Sequence, residues 1–174
     1  MRAEQFSKNV LALNPRIRFA GVVEKSGHLY ASARREDAPA RLSDRSSEIS
    51  LSQSAYIIDL RKIFSKELGT LRSVVYNYDT VRLVSIPVKD HILVFSTEAD
   101  VNLDELTPKV QEYVKSVEGD LSLYPPANIV NAEKKEALRN LLESGISEDL
   151  VAEQLDLDVN TVKALAQEMK IVSL

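Results

Sequence analysis

The 174-residue chain has no cysteine, no tryptophan, only two histidines and only five glycines. Without cysteine there is no disulfide framework, no thiol nucleophile and no thiolate metal ligand. His28 and His91 are too few for a histidine-rich metal site. The glycines are scattered, and none falls in a Gly-x-Gly-x-x-Gly or Gly-Lys-Ser/Thr phosphate loop. Apolar runs are short, as at Ile92–Phe95, far below the roughly 20 residues a membrane helix needs. Arg2, Glu4 and Lys8 interrupt the first residues, which argues against a secretory signal. Asp79, Asp90 and Asp100 fall in turns, where aspartate serves local hydrogen bonding, and they converge with no base or nucleophile. These absences predict a cytoplasmic, non-enzymatic protein with no metal, no cofactor and no membrane contact.

What is present is an ordinary globular balance, 44% hydrophobic and 28% charged. The net charge of −4 is unevenly placed. Residues 1–130 hold as many basic as acidic side chains, whereas residues 131–174 hold five basic and nine acidic ones. An acidic tail works against phosphate binding, since nucleic-acid affinity comes mostly from cations.

Phe6, Val10 and Leu13 share one face of a helix that Asn14-Pro15 ends. Residues 17–24 and 28–33 read as a hairpin turning at Lys25-Ser26-Gly27. Residues 34–48 are polar and non-periodic and read as a loop. Residues 50–68 form the longest helical pattern, with an apolar arc wider than one core-facing stripe, and Gly69 fits the position after its end. Three strands follow at 71–78, 81–88 and 91–97, with two-residue connections, and residues 104–117 form a further helix. Residues 119–130, with Pro125-Pro126, read as a linker. Residues 131–144, 147–155 and 158–170 read as three helices, with Ser147 and Asp158 as N-caps. The expected domains are therefore 1–118, a linker over 119–130, and 131–174. The fold class is α+β: a five-stranded antiparallel sheet with flanking helices, ordered α-ββ-α-βββ-α, followed by a small three-helix module.

Residues 19–27 (FAGVVEKSG), the strand pair Val81–Val88 and His91–Thr97, and Asn102-Leu103 before the last core helix resemble the roadblock/dynein light-chain family, a profilin-like fold also used by regulators of small GTPases. The resemblance implies a homodimer, with Tyr56, Leu60, Phe64, Val74 and Tyr76 at the interface, and a protein partner such as a small GTPase. An apolar edge strand at 71–78 also favours pairing with a second copy over exposure.

The stretch from Gly145 to Leu165 resembles a helix-turn-helix, with Ala152 allowing close helix crossing and Leu157 and Val162 plugging the gap. Asp156 stands where that motif usually carries glycine. A DNA-reading third helix would present Asn160, Thr161, Lys163, Gln167 and Lys170. It would offer no arginine, and five acidic side chains would flank the backbone. The leading expectation is therefore an adaptor or regulator whose tail is a second protein contact. The alternative is a transcriptional regulator that dimerises through the core and binds DNA through residues 131–174.

Overall fold

A computed structural model describes residues 1–121, 123 and 130–169, in two compact units, Met1–Leu123 and Tyr124–Leu174. In the first unit, α1 (Ala3–Ala12) leads into the hairpin β1 (Ile17–Val23) and β2 (Leu29–Arg34). Then come α2 (Asp44–Lys62), the short α3 (Ser65–Leu68), the strands β3 (Val74–Asn77), β4 (Val81–Val88) and β5 (His91–Glu98), and α4 (Leu103–Val117). The five strands form one antiparallel sheet in the order β2-β1-β5-β4-β3.

The sheet is covered on both faces. Phe6 and Val10 of α1 and Leu106, Val110 and Val114 of α4 pack with Ala20, Val22, Val84, Ile86, Leu93 and Phe95 in the larger core. Strand side chains alternate, so the neighbouring residues Val23, Ile92 and Val94 point the other way. They meet Leu51, Ala55 and Ile58 of α2 in a second, smaller core. At the β1–β2 turn, Gly27 has φ 87°, and a Cβ there would lie 2.6 Å from the Ser52 backbone of α2.

Three expectations change. The supposed loop 34–48 contains the start of α2, where the Ser43 hydroxyl accepts a hydrogen bond from the Ser46 amide. The first two turns of α2 bury none of their side chains, Leu51 being the first, so they carry no periodic apolar signal. The 50–68 helix is broken: α2 ends at Lys62 and α3 follows after one turn. The core also runs past residue 118. Leu121 and Leu123 are buried in it, the Met1 ammonium donates to the Asp120 carbonyl at 2.5 Å, and the Lys89 ammonium donates to the Leu121 carbonyl at 2.9 Å. The start of the expected linker therefore belongs to the first unit, and residues 122 and 124–129 lie outside the described part.

The second unit contains α5 (Ala132–Glu143), α6 (Glu148–Leu155) and α7 (Val159–Glu168) around Leu138, Leu142, Val151, Ala152, Leu157, Val162 and Leu165. Asn131 caps α5 by accepting from the Lys134 amide at 2.8 Å. Asp156 adopts the left-handed conformation, φ 51° and ψ 56°, between α6 and α7. Aspartate tolerates that region better than most residues, so the turn forms without glycine.

Candidate functional site

The first candidate is the outer surface of α2 and the neighbouring strand β3. Leu51, Ala55 and Ile58 face the sheet, while Ile49, Tyr56, Leu60 and, at the C-terminal cap, Ile63 are exposed. At 100° per residue the exposed four form a second stripe roughly 145° around the helix from the buried one. Their spacings of seven, four and three are those of a helix–helix seam. Phe64, between α2 and α3, is also exposed, and Leu68 of α3 is 82% exposed. β3 is an edge strand whose partner is β4 alone. Val74 and Tyr76 lie on its α2 side, half-buried, and Val74 packs against the smaller core. Burial lifts the Tyr76 phenol above its ordinary range, with Tyr78 adding to the effect.

Three of the five expected interface residues, Tyr56, Leu60 and Phe64, are thus exposed on one side of the domain, with Val74 and Tyr76 half-buried on the adjoining edge strand. Ile49 and Ile63 complete the stripe. Ile49 adjoins the stretch that reads as loop, which hides it, although its seven-residue spacing from Tyr56 is a usable signal.

The second candidate is a polar cavity of about 250 Å³ lined by Pro15, Arg16, Arg18, Arg35, Asp37, Ala38 and Glu98. Arg18 sits where the β1–β5 register is irregular, between Ile17 and Phe19, and is 8% exposed. It donates to the Glu98 carboxylate and, at 2.9 Å, to the Pro39 carbonyl. Arg41 donates to the other Glu98 oxygen at 3.4 Å. Arg35 grips both oxygens of Asp37 and the Pro15 carbonyl, and Arg16 pairs with Asp100. The Arg18 hydrogen bond holds the Glu98 carboxyl below its usual range, and the Arg35 hydrogen bond does the same for Asp37. No alternation rule marks an arginine inside IRFAGVV as buried, so the sequence did not disclose this cluster.

In the second unit, Asn160, Lys163 and Gln167 are exposed on α7, Thr161 is half-buried, and Lys170 lies outside the described residues. Leu150 on α6 is 57% exposed. Of the histidines, His91 is buried with its ring 6.1 Å from that of Tyr30. Among the described residues no group of three acidic or histidine side chains could hold a metal ion, and no helix is long and apolar enough to cross a membrane.

An antiparallel β2-β1-β5-β4-β3 sheet with α1 and α4 on one face and α2 on the other is the roadblock/LC7 fold. A Roadblock/LC7 domain from Streptomyces avermitilis superposes with a TM-score of 0.54 at 15% identity, over 68% of this chain and 97% of that one. An MglB with tetrameric arrangement (TM-score 0.54, 14% identity, 68% and 88% covered) and the gliding protein MglB from Thermus thermophilus (0.53, 14%, 68% and 89%) share it. The chain belongs to the family of unknown function DUF6659, which it matches over residues 2–121. No curated protein sequence matches it.

Proposed function

We propose that the protein is a non-enzymatic, homodimeric adaptor or regulator, with its first unit as dimerisation and protein-binding platform and its second unit as a further protein contact. The observation that carries this is the exposed apolar stripe of α2 beside the β3 edge. Monomeric proteins rarely leave a continuous apolar surface of this kind in water, and an uncovered edge strand invites pairing. The roadblock resemblance makes a small GTPase the first class of protein partner to test against this platform. The acidic excess of the tail suits a protein contact and opposes a phosphate backbone.

Light scattering on the full chain tests the first half: a mass of about twice 19.4 kDa at tens of micromolar supports it, and a monomer overturns it. Capture from lysate with and without nuclease tests the second: partners that survive nuclease support the adaptor. Salt-resistant binding of a defined operator by the wild type would replace it with the transcriptional regulator.

A further inference from the structure

The geometry points to an oxyanion site of the phosphate class in the cavity between the start of β1, the segment after β2 and the end of β5. Three guanidinium groups, those of Arg16, Arg18 and Arg35, line it against two carboxylates, Asp37 and Glu98. The lining therefore carries one positive charge in excess, and the two charges just outside it, Asp100 on Arg16 and Arg41 on Glu98, offset each other. The donors are not exhausted. Arg16 spends one N–H on Asp100, and Arg18 spends one each on Glu98 and the Pro39 carbonyl, out of five per guanidinium. Both lining carboxylates already accept from arginine and stay ionised, so neither can neutralise the surplus further. Arg18 is the most buried of the three arginines, 8% exposed, so little water competes for the N–H groups it does not spend on Glu98 and Pro39.

The shape of the donor set selects the ligand. Two separate segments supply the donors, Arg16 and Arg18 at the start of β1 and Arg35 just after β2, and all three line the same cavity. A tetrahedral oxyanion accepts from several directions at once, whereas a planar carboxylate suits a single fork. A volume of about 250 Å³ leaves room for phosphate or a small phosphomonoester.

Calorimetry on the full chain with inorganic phosphate, against sodium chloride at matched ionic strength, tests the site. Phosphate should bind with saturable heat and raise the melting temperature beyond the chloride control. Arg16→Gln, an exposed position whose one side-chain bond is to Asp100, should weaken binding about tenfold while leaving the chloride melting point nearly unchanged. Asp37→Asn should act in the opposite direction, since it frees the Arg35 fork and removes a repelling charge. A role limited to fastening residues 35–41 would not produce that gain. Glycerol phosphate in a parallel arm separates the sources: tighter binding than inorganic phosphate assigns a phosphomonoester, and equal binding assigns the phosphate group alone. Phosphate no better than chloride for both wild type and Asp37→Asn, or undiminished binding by Arg16→Gln, overturns the proposal.

Discussion

Glu98 joins the end of β5 to two arginines, Arg18 and Arg41, and so helps tie down the segment after β2. Its carboxyl is held below the usual range, so its contribution to stability is full above the unfolded carboxylate pKa and is lost as pH falls through the depressed folded value. Asp37 has the same sign through Arg35. Melting temperature should therefore hold steady near neutrality and fall on acidification below about pH 4, with a shallower fall in Glu98→Gln. A curve for that variant that parallels the wild type would remove the argument. At the proposed dimer surface the choice of residue matters. Val74 packs against the smaller core, so a lysine there would confuse folding with assembly. Phe64→Glu and Leu60→Glu alter exposed positions and leave the monomer folded. Each would place an uncompensated charge in the proposed interface, and should raise the dimer dissociation constant about 100-fold or more, read by sedimentation.

The elements differ in how plainly the sequence announces them. β4 and β5 are legible almost to the residue, because the two-residue turn Lys89-Asp90 joins them and β5 is buried along nearly its whole length. α4 is legible for its single apolar stripe of Leu106, Val110 and Val114. The first turns of α2 are not, since burial begins only at Leu51, and β3 is a shorter strand than residues 71–78 suggest because its ladder with β4 runs only from Val74–Ser85 to Asn77–Arg82. The apolar surface is visible in outline as surplus hydrophobicity, while the arginine cavity depends on a strand irregularity that no periodicity encodes. The β1–β2 turn makes a sharper test of packing. Gly27→Ala must accept a positive φ, costing about 1–2 kcal/mol, and also displace the Ser52 backbone. Denaturant unfolding should show a larger loss than the conformational cost alone, because the clash is with backbone. For α7, any DNA contact would rest on Lys163, Lys170 and the two lysines of α5. Phosphate contacts contribute about −0.9 each to the salt slope, so a dimer would show roughly −4 to −7 and lose binding in Lys163→Glu. On the adaptor reading, gel shifts at physiological salt show no complex to lose.

The two units call for a cut that respects Leu121 and Leu123. A fragment of residues 1–123 should fold and dimerise by itself. One ending at residue 120 discards two buried leucines and should be destabilised by several kcal/mol, at about 2–5 kcal/mol for each large apolar side chain removed from a core. Equal stability of the two fragments, by thermal melting, would place the boundary back at residue 118. The arrangement of aromatic side chains has an optical consequence. With no tryptophan, ultraviolet emission comes from six tyrosines, and three of them, Tyr56, Tyr76 and Tyr78, lie on α2 or on and beside β3. Association through that surface would move the exposed Tyr56 and Tyr78 from water into contact with protein and bury the half-buried Tyr76 further. Dilution of the unlabelled protein would then change its tyrosine intensity and anisotropy at the concentration where the copies separate, so the chain is its own probe of assembly.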